Sequence, residues 1–189
     1  TAGLSSAFLR ALGAQGLTNL STDQLVAFSA VQIASFATAQ VNALSSDQVN
    51  IIETRDLVGM GSAQIAALST EQVSGLTTNL LRVLATSQVR AIETVDVKEL
   101  KTDQLVALGT AQVRALLTSQ IRALSGSQLS AMETVDLSSL SSAQLAALKT
   151  EQVNALTSDQ AKVLGASQYN QMSSSQVGAL GSDQVKQLT

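Results

Sequence analysis

Three pairs of carboxylates stand at a fixed spacing: Glu53 with Asp56, Glu93 with Asp96, and Glu133 with Asp136, each inside Glu-Thr-x-Asp and each forty residues from the next. Two acids three residues apart share one side of a helical turn and can offer two oxygens to Ca²⁺. A Ca²⁺ shell takes about 6–8 oxygens, so a pair alone is too few. The simpler expectation is structural: Asp caps a backbone group and Glu occupies a corner of the chain. A second series is basic. Arg82, Arg90, Lys98, Arg114 and Arg122 fall at one position of an eight-residue register with a single gap, a candidate binding stripe for an anionic glycan or other polymer. Glu93, Asp96, Glu99 and Asp103 dilute it and no aromatic platforms accompany it, so a solvated face is the plainer reading. With net charge -3 and pI ≈ 4.8 there is no electrostatic case for nucleic acid or an anionic membrane.

Catalytic material is scarce. The chain has no His and no Cys, so a Ser or Thr nucleophile would need a Lys or carboxylate base. Phosphate loops, dinucleotide fingerprints and zinc spacings are absent. The expectation is no enzyme and no cofactor. Without Cys a disulfide framework is excluded.

The elements that position these residues follow from one register. Gln recurs every eight residues, at Gln24, Gln32, Gln40, Gln48, Gln64, Gln72, Gln88 and onward to Gln184, with no insertion or deletion. Counted from Ser5, the octad reads: small residue, Ser or Thr, variable, Gln, branched aliphatic, variable, Ala, Leu. Position eight is always large and apolar (Leu12, Leu20, Phe28, Phe36 and so on), and position five departs from Val, Ile and Leu only at Ala161 and Tyr169. Positions five and eight are therefore the buried ones.

No single regular element carries such a pattern. In a continuous α-helix, eight residues turn about 800°, so the apolar stripe drifts by about 80° per octad and no face stays apolar. In a strand, positions five and eight point to opposite faces. The backbone must therefore reset once per octad. Position two is Ser or Thr in most octads (Thr22, Thr38, Ser46, Thr54), which suits an N-cap there, and position three often adds an acid, as at Asp23 and Asp47. Position one to position four also has the capping-box spacing. Each octad is expected to form one helix of about five to seven residues, followed by a corner.

A helix this short leaves most of its backbone polar groups without an intrahelical partner. Gln shares a face with the apolar anchors and can both donate and accept. The expectation is an inward Gln that satisfies backbone. Two buried aliphatic side chains give roughly 3–6 kcal/mol per octad, against about 1–2 kcal/mol of backbone entropy for each of its residues. Neighbouring coils must supply the difference. The expected fold is thus all-α: a solenoid of very short helices, one per octad, with a Val/Leu interior and Ser/Thr N-caps. Handedness and the number of octads per coil stay open.

The acidic octads add a longer period of five octads, with copies at 13–52, 53–92, 93–132 and 133–172 inside a single continuous array over 1–189. Five octads making a whole number of coils, so that Asp56, Asp96 and Asp136 stack, is one reading of that period. Ser, Thr and Gln interrupt every octad, so no stretch reaches the ~18–20 apolar residues of a membrane span. The chain starts at Thr1 without Met, halfway through an octad, and looks excised from something longer.

Stretches such as ALSTEQV (67–73), LKTDQLVALGTAQVRAL (100–116) and LSSAQLAALKTEQVNALTSDQ (140–160) resemble the Ala-Leu-Thr-Thr-x-Gln-Val/Ile octapeptide arrays of very large bacterial proteins. Those proteins are often predicted to be secreted or surface-bound and are sometimes labelled adhesin-like. The resemblance spans nearly the full chain. It departs from the simplest arrays at the Glu-Thr-x-Asp octads and at Leu80, which takes a Gln slot. It implies a non-catalytic spacer segment of a bacterial surface or secreted protein, with flanking repeats of the same parent chain as its neighbours. The alternative is a binding solenoid that engages a protein, glycan or other polymer along one face. Apolar faces at Leu4 and Leu188 add an expectation of end-to-end self-association.

Overall fold

The structure, a computed structural model, describes residues 4–187. Among these residues there are 23 α-helices of four to six residues, one per octad, numbered here α1 to α23 in chain order. The all-helical solenoid expected from the register is what the chain forms. Leu188 lies outside the described residues.

The reset takes place in extended backbone at position one. Ser21, Ser69 and Ser125 have φ between -75 and -68 and ψ near 160, and the helix starts at the next residue. The N-cap is therefore position one, not position two as the Ser/Thr count suggested. Thr22, Thr70 and Thr150 are the first helical residues instead. Where position one is Ser or Thr, its hydroxyl accepts from the position-four N–H, as Ser45 does from Gln48 at 3.1 Å. Elsewhere it is Ala37, Lys101 or Leu117, which cannot do so.

Because φ stays negative at these corners, any L-residue can occupy them. The one described exception is Gly13, at φ 66, where α2 (Gly13–Thr18) follows α1 (Ser6–Ala11) with only Leu12 between them. A side chain at that φ would be strained.

The chain divides into two compact units, residues 1–99 and 100–189. In the first unit, α4 (Ala30–Ala34) packs on α7 (Thr54–Val58), which packs on α10 (Thr78–Val83). The next helices repeat the pattern: α8 (Ser62–Ala66) packs on α11 (Thr86–Ala91), and α9 (Thr70–Gly75) on α12 (Thr94–Glu99). In the second unit, α14 (Thr110–Ala115) packs on α17 (Thr134–Ser138), α17 on α20 (Ser158–Val163), and α20 on α23 (Ser182–Val185). Within each unit these helices thus lie over the helix three octads away. Polar contacts reach from there to the start of the fourth: Asn50 bonds both Gly75 and Thr77, 25 and 27 residues on. A coil therefore holds between three and four octads. Five octads are more than one coil and fewer than two, so the whole-number reading of the longer period fails, and Asp56 on α7 does not stack under Asp96 on α12.

The interior is aliphatic, as expected. Position-five residues Leu81, Val89 and Val97 are 0% exposed, and position-eight residues Leu76, Leu84 and Leu100 are 4% exposed. Phe28 and Phe36 supply one edge-to-face ring contact, with centroids 5.8 Å apart. Among the described residues no helix is long and apolar enough to cross a membrane.

Candidate functional site

The repeated polar feature is the buried glutamine. At N3 of each helix its Oε1 accepts the backbone N–H of position one: Ala37 to Gln40 at 2.8 Å, Ser69 to Gln72 at 2.7 Å, Leu117 to Gln120 at 2.7 Å. The same amide's Nε2 crosses to the previous coil and donates to two carbonyls that end a helix four octads earlier. Gln88 reaches Leu57 at 2.9 Å and Met60 at 2.8 Å, Gln152 reaches Ile121 at 2.9 Å and Leu124 at 2.7 Å, and Gln160 reaches Leu129 and Met132, both at 2.8 Å. These Gln residues thus answer orphan groups at the start of one helix and the end of another. The amide orientation follows from chemistry, since an N–H must meet oxygen and carbonyls must meet the NH₂. Position one can dispense with a hydroxyl because the position-four N–H also donates to its carbonyl, as Gln40 does to Ala37 at 2.9 Å.

The exceptions show what replaces the amide. Asp is too short to reach the position-one N–H, so it does not cap there; Glu53 and Glu133 are the N-cap residues but give no side-chain cap bond. Asp96 Oδ1 instead accepts from Thr70 Oγ1 at 2.6 Å, and Asp136 Oδ1 from Thr110 Oγ1 at 2.6 Å, each across 26 residues. The corresponding residue for Asp56 is Ala30. Asp56 Oδ1 is buried without a hydrogen-bond partner, and the nearest charge is Arg55 Nε at 3.5 Å. Arg55 also holds Glu53 at 2.8 Å. Among the described residues no three acidic, His or Cys side chains gather where a metal could be held.

At Leu80 the Gln is missing altogether, and the previous coil compensates: Thr77 N–H donates to Asn50 Oδ1 at 3.1 Å, while Asn50 Nδ2 donates to the Gly75 carbonyl at 2.7 Å. Position six, variable in sequence, makes contacts between coils. Asn42 donates to Ala67 at 2.9 Å, Asn154 to Ala179 at 3.0 Å and Arg10 to Ser35 at 2.8 Å, each 25 residues on. These Asn residues and the two Thr partners were missed in sequence. Spacing alone does not single out Thr70 and Thr110, because Thr fills position two of most octads.

The basic series is exposed, and within the first unit it is spread around the coil. Arg82, Arg90 and Lys98 lie on α10, α11 and α12, consecutive helices that turn by a quarter to a third of a circle each, so they face different sides of the coil. Arg114 on α14 and Arg122 on α15 (Thr118–Ala123) are likewise on consecutive helices of the second unit. A groove of about 530 Å³ lies in the first unit, with Thr38, Asn42, Thr70, Glu93 and Asp96 among its walls.

No curated protein matches the chain. The ALTTAQ repeat family matches it over residues 20–51, 49–86, 89–126 and 129–166, and the last three segments begin forty residues apart, the spacing of the acidic octads. With most of its length accounted for in this way, the chain belongs to the ALTTAQ repeat family.

Proposed function

We propose that the chain is a non-catalytic spacer: a structural repeat segment of a large bacterial surface or secreted, adhesin-like protein, whose role is length and presentation of other domains beside flanking repeats of the same parent chain. The observation that carries this reading is the use made of the recurrent polar group. The glutamine amides are spent on backbone within the coils, as at Gln152 and Gln160, and are not turned to a ligand. The outward position three varies among Ala, Ser, Asp, Glu, Asn, Gln, Arg and Val, with Val95 61% exposed, and no recognition residue recurs there.

A second reading, a binding solenoid for a protein or glycan, is favoured by the groove walled by Thr38, Asn42, Thr70, Glu93 and Asp96. Replacing Thr38 and Glu93 of the groove with Ala, and Arg82, Arg90, Lys98, Arg114 and Arg122 with Ser, separates the two. The spacer reading expects adhesion of cells displaying the parent protein, and glycan-array binding, to stay at wild-type levels. Loss of either would transfer the function to a binding surface.

A further inference from the structure

The Glu-Thr-x-Asp octads share their acids but differ at the residue between them, and that residue decides what faces the pair. In the first, Arg55 turns its guanidinium onto both carboxylates, with Nε 2.8 Å from Glu53 and 3.5 Å from Asp56. In the second the same place is taken by Val95, which is exposed and brings no charge to Glu93 and Asp96. This second pair stands on the wall of the 530 Å³ groove, and no Lys or Arg is among the groove's wall residues. Asp96 is 3% exposed, and Thr70 occupies only its Oδ1, at 2.6 Å. Among the described residues no group donates to its Oδ2. The Leu68 carbonyl, on the same wall, is also without a donor, whereas a Gln in slot four would meet it as Gln88 meets Met60. Asn42 gives its amide nitrogen to the Ala67 carbonyl at 2.9 Å, which leaves its Oδ1 as a further acceptor.

The groove therefore gathers acceptors and two negative charges and supplies no cation to them. Buried carboxylates are stable when paired, and in the first octad the chain itself provides the partner. We infer that the groove takes a guanidinium group from outside the chain, the end of an arginine side chain of a partner protein, in the place where Arg55 lies on the first acidic pair. A guanidinium carries five N–H donors and no acceptor, which suits a site made of the Glu93 carboxylate, Asp96 Oδ2 and the Leu68 carbonyl. Its methylene stem lies along Val95 and Ala66, the apolar part of the wall. The inference rests on the second reading above, for which it names the ligand class, and a spacer role for the rest of the array stands beside it.

Calorimetric titration of the 189-residue chain with the peptide acetyl-Ala-Arg-Ala-amide tests it. The wild type is expected to bind with a Kd of about 1 mM, and the peptide carrying neutral citrulline in place of arginine to bind about ten-fold more weakly or worse. Glu93→Gln should weaken binding about three- to five-fold. Val95→Arg places a resident guanidinium beside the pair, as Arg55 does, and should weaken it about ten-fold or more, whereas Val95→Gln should bind as the wild type does. Glu93 and Val95 are both exposed, and unchanged far-ultraviolet circular dichroism verifies that the variants fold. Methylguanidinium chloride separates the two sources of the group: weaker binding than the peptide supports a protein partner, and equal binding assigns the groove to a free solute and overturns that partner. No heat with the arginine peptide, equal binding of the citrulline peptide, a Val95→Arg variant that binds as the wild type does, or heat with CaCl₂ that Glu93→Gln abolishes would each overturn the inference. Adhesion lost on replacing Thr38 and Glu93, in a chain that takes up no arginine peptide, would keep the groove as a binding surface and overturn the guanidinium alone. Peptide binding in a chain whose adhesion survives those replacements would do the reverse.

Discussion

Asp56 is the slot-four acid without a hydroxyl partner, and the cause is one side chain: Ala30 stands where Thr70 and Thr110 serve Asp96 and Asp136. A buried polar atom left unpaired costs about 1–3 kcal/mol. Ala30→Thr is therefore expected to stabilise the chain by about 1 kcal/mol, seen as a higher urea midpoint. A midpoint that stays put or falls would mean that the arrangement at Thr70 does not transfer. Tyr169, the only tyrosine, is a second local case. Burial raises its pKa above the ordinary tyrosine value, and its hydroxyl must keep its proton to donate to Ala161. A folded pKa above the unfolded one gives stability that is complete below about pH 10 and is lost as the pH rises through the folded value, because the unfolded chain ionises first. Tyrosinate absorbance should accordingly appear later on alkaline titration of the folded chain than in urea. Coincident titration curves would remove Tyr169 from the account.

At the scale of the helix, stability rests less on the cap hydroxyl than on the glutamine. Lys149 has no capping side chain, and Gln152 meets its N–H at 2.7 Å while also bonding the Ile121 and Leu124 carbonyls. Gln152→Met keeps the length and loses all three bonds. Its expected cost is about 3 kcal/mol or more, whereas the exposed neighbour substitution Glu151→Ser should fall within about 0.5 kcal/mol. Comparable midpoints for the two variants would show that the amide bonds do not hold the coils together. The helical period, the inward glutamine and the aliphatic positions were legible in sequence because each is set by spacing within an octad. The choice of cap was not. Positions one and two both offer Ser or Thr, and which hydroxyl caps depends on whether the backbone bends before or after it. The neighbouring coil contributes to that choice, as Asn50 shows by serving Thr77.

Over the whole molecule, the coupling between octads four places apart makes the array tolerant of whole repeats and intolerant of fractions. Deleting residues 141–148 preserves the octad phase, so helicity should persist with a midpoint lowered only slightly. Deleting residues 145–148 turns positions five and eight out of phase with the coils on either side, and cooperative unfolding of the second unit should be lost. Equal behaviour of the two deletions would contradict the coil-to-coil glutamine bonds. The forty-residue spacing of the acidic octads was visible from the start, but the stacking drawn from it was not correct, since a coil takes between three and four octads. The same geometry disperses Arg82, Arg90 and Lys98, which a linear reading lines up.

What the amino-acid order determined alone is everything that repeats within eight residues: a short helix, two aliphatic anchors and a polar amide among them. These follow from the helical turn and from the rule that backbone groups removed from water must be paired. Only the tertiary structure decided which groups the amide joins, how many octads close a coil, and which hydroxyls Asp96 and Asp136 accept from. Those answers depend on contacts 25 to 31 residues apart in the chain, set by how coils seat on one another, and no local spacing encodes that seating.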